Sequence, residues 1–154
     1  MYPYNLSDFT EITSAKPMHD QPLPFRLPFF GFSYNYVWIQ RDGYIAFNKG
    51  LLSYKFPLNL PFQPLDPLIE EDPSIIAPWF ALQDIPTEVP HAGVYLKIVH
   101  LETEQNTTLR ERLILDFKEG MIGAADFVPK FAIIVTWRNM TMVNRRPEKP
   151  LVVS

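Results

Sequence analysis

Cysteine is absent from this chain of 154 residues. Its absence excludes disulfide bonds, thiolate zinc sites and a cysteine nucleophile. Glycine is also scarce, with six residues, which leaves little material for a loop that cradles phosphate. The Gly-x-Ser-x-Gly and His-Glu-x-x-His motifs of hydrolases and metalloproteases are missing as well. We therefore predict a chain that is not an enzyme and that holds no cofactor.

Basic charge and long apolar runs are lacking too. The net charge is −3 and the pI is about 5.6, whereas a nucleic-acid surface usually needs a concentrated basic field. No apolar stretch approaches the roughly 18 residues that a membrane-spanning helix needs. The start of the chain, Met1 to Asn5, has neither the basic residues nor the apolar run of a signal peptide. We predict no nucleic-acid partner and no direct membrane insertion by this segment, and we expect any export signal or anchor outside it.

Hydrophobic residues make up 47% of the chain and aromatic residues 14%, which is typical of a folded domain with a sizeable core. The strongest local signal is Asp42-Gly43, which lies between two runs of β-prone residues. This dipeptide predicts a two-residue hairpin turn with Gly43 at positive φ. The predicted register places three pairs opposite one another: Trp38 and Phe47, Ile39 and Ala46, Gln40 and Ile45.

Alternating apolar residues predict further strands. Gly93–Val99 alternates, and Phe131–Trp137 is apolar at both parities, as in a strand that is covered on both faces. Only 17 residues follow Trp137, so we expect one edge of that strand to lack a partner unless upstream strands supply both neighbours.

Residues 109–118 allow two interpretations. Alternation of Leu113, Leu115 and Phe117 indicates a strand, and we prefer it. A helix is the competing interpretation, because Thr108-x-x-Glu111 resembles a capping box and apolar residues recur every four positions.

Prolines dominate two segments. Residues 1–26 hold four of them and are predicted to form an irregular N-terminal lead-in. Eight more lie from Pro57 to Pro90, where apolar neighbours predict an ordered, extended wrap with one short strand near Ile75–Phe80. Leu27-Pro-Phe-Phe-Gly31 is expected to direct two aromatic rings into the core. The predicted fold is all-β: a two-sheet antiparallel sandwich with a long proline-rich wrapping loop and helix at most in short turns.

Four motifs in order resemble the nidogen-like (NIDO) domain, in the variant found in Mesh-like junctional and sushi-domain-containing adhesion proteins. They are Leu27-Pro-Phe-Phe-Gly31, Asp42-Gly-Tyr-Ile-Ala-Phe47, Ile75-Ile-Ala-Pro-Trp-Phe-Ala81 and Val135-Thr-Trp137. The resemblance implies one nidogen-like β domain over residues 27–154 and a role in extracellular adhesion.

Two departures from the family pattern stand out. Where the family commonly places two acids one residue apart, this chain has Leu82 and only Asp84. The family also continues with further strands after the Thr-Trp strand, so we expect the domain to be truncated at its C-terminus.

Several residues allow either a metal or sugar site or a structural role. His91 and His100 flank one predicted strand nine positions apart, so they should point to opposite faces. Glu70-Glu71-Asp72 is typical of a solvated loop, with a calcium site that includes Asp84 as the alternative. Tryptophans within strand patterns are more often core residues than sugar-stacking platforms; here these are Trp38, Trp79 and Trp137.

Three glycosylation sequons begin at Asn5, Asn106 and Asn139. They arise either by coincidence or because the domain is extracellular and glycosylated. For Asn106 and Asn139 we predict surface positions, of which at least one carries a glycan.

The function that we predict is a non-catalytic extracellular adhesion module within a larger protein, at the cell surface or a cell junction, with extracellular or cell-surface proteins as partners. The alternative is a β-sandwich that binds carbohydrate or calcium-dependent ligands, or a β-sandwich enzyme. The proline-rich wrap is the candidate binding surface, with three positions expected to be exposed: Gln63, Glu70 and Gln83.

Overall fold

The structure is a computed structural model that describes residues 6–12, 20–47, 74–142 and 151–153. It contains a 3₁₀ turn at Leu6–Asp8, one α-helix, α1 (Thr107–Gly120), and nine strands. The strands are β1 (Thr10–Ile12), β2 (Asp20–Phe29), β3 (Phe32–Gln40), β4 (Tyr44–Ala46), β5 (Ile75–Ile76), β6 (Gln83–Asp84), β7 (Gly93–His100), β8 (Phe131–Met142) and β9 (Leu151–Val153).

The strands form two antiparallel sheets. Sheet A has the order β1-β7-β8-β6, with β9 also paired to β8, and sheet B has the order β2-β3-β4-β5. Between them lies a core to which both sheets contribute buried side chains: Leu23, Val37, Ile39 and Phe47 from sheet B, and Val94, Leu96, Trp137 and Met140 from sheet A. This arrangement confirms the predicted all-β sandwich.

Strand β2 shows why the predicted irregular lead-in is wrong over residues 20–26. Its prolines stand at exposed positions, and they alternate with inward Leu23, Phe25 and Leu27. As an edge strand, β2 tolerates proline because one side of its backbone needs no ladder partner. The expectation for Leu27–Gly31 holds for Phe29, which packs against the core, but not for Phe30, which is 87% exposed at the turn.

The β3–β4 hairpin differs from the predicted one by a single residue. Gln40 lies opposite Tyr44, and Trp38 lies opposite Ala46 instead of Phe47. The loop therefore has three residues, with Gly43 at φ +81°. A three-residue hairpin loop commonly ends in a left-handed residue, so the predicted positive φ is confirmed while the register is wrong.

Helix α1 overturns the preferred strand at residues 113–117. It also overturns the expectation of helix at most in short turns, because it runs for 14 residues. Asn106 caps it by accepting a hydrogen bond from the Leu109 N–H at 3.0 Å. Leu109 and Leu113 are buried against the outer face of sheet A, whereas Leu115 is exposed. The helix forms because a four-residue spacing gathers the apolar side chains on one face, and the apolar outer face of β7 and β8 needs that cover.

Strand β8 is covered on both faces, as predicted. Its outer face packs under α1 through Ala132 and Ile134, and its inner face contributes to the core between the sheets. Along its backbone, β7 pairs with Phe131–Arg138, and β9 pairs with Trp137 and Met140 on the other side. Strand β6 pairs with Thr141 and Met142, beyond the end of the β7 pairing. Among the described strands, none pairs with that second edge over residues 131–136.

Candidate interaction surface

The hairpin turn at residues 41–43 holds the stretch 79–84 in place by backbone hydrogen bonds. The Trp79 N–H donates to the Gly43 carbonyl at 3.3 Å, and the Ala81 N–H donates to the Asp42 carbonyl at 3.1 Å. The Asp42 carboxylate accepts a third bond, from the Gln83 N–H at 3.0 Å. A segment with little regular secondary structure is therefore fixed by its contacts with a turn some forty residues earlier. We call these contacts the turn clamp.

Gly43 is required at the centre of this clamp. Its φ of +81° favours glycine, and a Cβ atom there would overlap the carbonyl oxygen of Trp79. Backbone can approach this closely only where no side chain intervenes. The same φ occurs at Gly31, but an added Cβ would meet nothing within 4 Å there.

Two further contacts hold this segment against β4. The Phe80 ring lies 5.7 Å from the Tyr44 ring, centroid to centroid, and Ile75 of β5 pairs with Ala46 of β4. Of the strand predicted near Ile75–Phe80, only β5 forms, and a turn follows it at residues 78 and 79.

The clamped segment presents apolar side chains to solvent. Ile76, Trp79 and Leu82 are 44%, 40% and 53% exposed, and Ala77 and Pro78 between them are exposed as well. We call these five residues the apolar surface. Leu82 occupies the position where the family pattern commonly has an acid, so this departure adds to the surface.

One ion pair borders the apolar surface. Arg41 Nη1 lies 3.2 Å from Asp84 Oδ1, and both side chains are more than half exposed. Exposed pairs of this kind contribute about 0–1 kcal/mol to stability. The pair therefore adds charge of both signs at the edge of the apolar surface, which we call its rim, and stabilises the fold little. Among the residues that the structure describes, no group of three or more carboxylate or histidine side chains is placed to hold a metal ion.

The expectation that Gln83 is exposed is wrong. It is 2% exposed, and its Nε2 donates to the Trp79 carbonyl at 3.4 Å. Gln83 belongs to β6 and pairs with Met142 of β8, so its side chain faces inward while that of Asp84 faces out. Gln63 and Glu70 lie outside the described residues, as does the acidic run Glu70–Asp72.

The tryptophans have three different environments. Trp137 is buried, Trp38 is half-buried, and Trp79 is part of the apolar surface. The predicted core position thus fits Trp137, whereas Trp79 is exposed and available to a partner. A strand pattern could not reveal this difference, because Trp79 lies in a turn.

Two of the three sequons lie in described residues. Asn106 is exposed before α1, and Asn139 is half-buried within β8. Asn5 lies outside the described residues.

A cavity of about 380 Å³ lies apart from the apolar surface, where β1, β2 and β7 meet. Its lining is Asp8, Thr10, Gln21, Pro22, Leu96, Lys97 and Ile98. None of the described residues of the proline-rich wrap contributes to it, so it does not have the cleft wall that the ligand-binding alternative predicts. Over the described ranges, no helix combines the length and the hydrophobicity that a membrane crossing requires.

Comparison with known proteins gives the family. Residues 35–150 match the model of the nidogen-like domain. The chain belongs to the nidogen-like domain family. Protein mesh of Bombyx mori is 33% identical over 148 residues, which cover 89% of this chain and 9% of that protein. An uncharacterized protein of Caenorhabditis elegans is 24% identical over 156 residues, which cover 73% of this chain and 11% of that protein. The chain thus spans about a tenth of these relatives, and no solved structure matches it.

In this nidogen-like domain, motifs far apart in sequence meet at the turn clamp. Asp42-Gly43 binds the Trp79–Ala81 part of a second motif. A third motif joins them through Trp137, whose indole nitrogen donates to the Gln40 carbonyl at 2.8 Å. The tertiary structure therefore brings together, at the turn clamp that supports the apolar surface, three of the four motifs that carry the resemblance.

Proposed function

We propose that this nidogen-like domain is a non-catalytic extracellular adhesion module, which binds cell-surface or matrix proteins at cell contacts through the apolar surface. The observation that carries the proposal is the exposure of Ile76, Trp79 and Leu82 on a segment fixed by the turn clamp. The short share of each relative that the chain covers supports a role as one module of a larger protein.

Physical reasons favour a protein partner at this surface. Exposed apolar groups rimmed by polar residues are typical of interaction sites. Tryptophan is enriched among the residues that dominate binding energy. A segment that is already ordered loses less conformational entropy on binding than a flexible loop does. The Arg41–Asp84 pair supplies a polar rim of both signs, which suits a protein surface better than an anionic lipid or nucleic acid.

A rival surface exists in the loop that follows α1. Met121, Ile122, Phe127 and Val128 are exposed in the loop after α1, and Ile122 is fully exposed. Within the described contacts, this loop is held mainly by short turns of its own, such as Ala124 N–H to Met121 carbonyl at 3.1 Å. We favour the apolar surface because distant backbone contacts order it in advance.

The test compares one charge substitution on each surface. The domain is displayed on beads, and the binding of the beads to cultured epithelial cells and to one another is measured. Leu82→Glu should weaken binding at least about tenfold, which corresponds to roughly 1.4 kcal/mol. Ile122→Glu, an equally apolar-to-acidic change at a solvent-exposed position, should leave binding unchanged.

Thermal unfolding of both variants controls for folding, since each substituted side chain is exposed in the native protein. Full binding by a folded Leu82→Glu variant would contradict the proposal. Loss of binding only with Ile122→Glu would show that the partner binds the loop after α1 and not the apolar surface.

A further inference from the structure

The two described sequons differ in what their polar groups already bind. At Asn106 the backbone N–H donates to Glu104 Oε1 at 2.9 Å, and the carbonyl accepts from the Arg110 N–H at 3.0 Å. The side-chain oxygen accepts from the Leu109 N–H at 3.0 Å. Among the described residues, no group bonds to the amide nitrogen Nδ2. The side chain is exposed, so Nδ2 is the polar atom of Asn106 that stays available.

The loop that presents Asn106 is held firmly. The Glu104 carboxylate that receives the Asn106 N–H also lies 3.6 Å from Lys97 Nζ, and both of these side chains are mostly buried. This mostly buried ion pair between β7 and the loop thus fixes the backbone before α1. The side-chain oxygen of Asn106 is thereby directed to the N–H of Leu109 in the helix.

At Asn139 the sequon is part of the fold. Its φ is +52°, and it lies at the irregularity between Trp137 and Met140 where β8 pairs with β9. Its Nδ2 donates to the Pro90 carbonyl at 3.4 Å. The hydroxyl of Thr141, the third residue of the same sequon, donates to the Asp84 carbonyl at 3.3 Å. Both residues are half-buried, and the two hydrogen bonds lie at the exposed surface.

We propose that the folded, secreted protein carries an N-linked glycan at Asn106 and none at Asn139. The proposal rests on the proposed extracellular function, because the glycan is added along the secretory route. The co-reactant is a lipid pyrophosphate-linked oligosaccharide. A bond forms between Asn106 Nδ2 and the anomeric carbon of the first sugar, the bond from that carbon to the pyrophosphate oxygen breaks, and the lipid pyrophosphate leaves. The amide nitrogen gives up one proton to the transferase or to solvent.

The two positions have opposite consequences for folding. A glycan on Asn106 Nδ2 leaves Oδ1 free to cap α1, and it extends into solvent. A glycan on Asn139 would leave Nδ2, the donor to Pro90, with a single N–H and would place a bulky group on a half-buried residue. Chains modified there before they fold would pair β8 with β6 less well, so fewer of them would be secreted as folded protein.

The two positions also differ relative to the apolar surface. Asn139 lies two residues from Thr141, which pairs with Asp84 at the rim of that surface. Asn106 follows the far end of β7, where His100 pairs with Phe131. The eight residues of β7 separate the two ends by about 23 Å at the rise of a strand. A glycan confined to Asn106 would leave the partner surface open.

The test is a site-resolved glycan map of the full chain secreted from mammalian cells. Peptide-N-glycosidase in heavy-oxygen water converts each glycosylated asparagine to a labelled aspartate, which mass spectrometry locates. The expected result is label at Asn106 and unlabelled asparagine at 139. Label at Asn139, or unlabelled Asn106 in secreted and folded protein, would overturn the inference.

Matched variants separate the glycan from the helix cap. Asn106→Asp keeps the capping oxygen and removes the amide, and Thr108→Ala keeps the whole asparagine but removes the sequon hydroxyl. Each should abolish the label at position 106 while the protein stays folded. Asn139→Gly fits the positive φ and should leave the label at position 106 unchanged.

The outcome is independent of the partner-binding test. If Leu82→Glu leaves binding intact while the map is as expected, the proposed function fails and the glycan assignment stands. If the map is wrong while Leu82→Glu abolishes binding, only the glycan assignment fails.

Discussion

The indole nitrogen of Trp137 donates a hydrogen bond of 2.8 Å to the backbone carbonyl of Gln40. The bond is buried and joins β8 of one sheet to the end of β3 in the other. The same carbonyl accepts the Gly43 N–H at 3.2 Å, which closes the hairpin turn. One oxygen thus connects the sandwich core to the turn clamp that supports the apolar surface.

Trp137→Phe should lower the free energy of unfolding, because it removes the indole donor from a buried carbonyl. The Gln40 carbonyl keeps the Gly43 N–H, so the expected loss from the missing hydrogen bond is about 0.5–1.5 kcal/mol, measured by urea denaturation. Trp38→Phe is the matched control: the Trp38 indole nitrogen is buried, and no described residue accepts its proton. If Trp38→Phe destabilises the protein as much as Trp137→Phe, the loss reflects ring volume and not the inter-sheet hydrogen bond.

Gly43→Ala should be more destabilising than Gly31→Ala. Both glycines have φ near +80°, so each alanine suffers a backbone strain of about 1 kcal/mol. Only at position 43 does the added Cβ also overlap the Trp79 carbonyl. Thermal unfolding of the two variants measures the difference. Equal midpoints would show that residues 79–84 do not approach the turn as closely as the structure has them.

Asp42→Ala should weaken the clamp, since the Gln83 N–H loses its carboxylate acceptor in a part-buried position. The expected cost is about 0.5–2 kcal/mol, by analogy with the loss of a helix-capping side chain. Asp42→Asn keeps an oxygen acceptor and should retain most of the stability. Hydrogen exchange of the Gln83 amide gives a local measurement, and protection unaltered by the alanine variant would contradict the assigned bond.

Leu113→Ala and Leu115→Ala distinguish the helix from the strand that the sequence favoured. In a strand, residues two positions apart share a face, so both leucines would be equally buried. In α1, Leu113 is 3% exposed and Leu115 is 46% exposed. We expect a loss of about 2–5 kcal/mol for Leu113→Ala and within about 0.5 kcal/mol of no change for Leu115→Ala. Similar losses at both positions would rule out the helix.

Short-range pattern was enough for the core strands. Alternation predicted the strand that became β7, and the double-sided apolar pattern predicted β8 with cover on both faces. Asp42-Gly43 predicted the hairpin and the positive φ of Gly43, because only a few backbone conformations reverse a chain between two strands. The family also followed from sequence, since its motifs are local strings of residues.

The helix and the register were beyond the reach of pattern alone. Residues 109–117 satisfy a period of two and a period of four together, and the choice between them depends on an apolar sheet face that residues 94–101 and 132–134 supply. The hairpin register depends on whether Arg41 belongs to the strand or to the loop. Neighbouring registers differ by few local contacts, so distant packing decides between them.

The candidate site shows most clearly which features the sequence determined and which the tertiary structure decided. Sequence composition determined that no disulfide bond holds this chain together, because it has no cysteine. The prolines and aromatic residues near position 79 predicted that this stretch is ordered. Only the tertiary structure decided that Gln83 is buried and Leu82 exposed. The physical reason is that buried polar groups need partners. The Gln83 side-chain amide donates to the Trp79 carbonyl, and the Gln83 backbone N–H donates to Asp42, which lies 41 positions earlier in the chain.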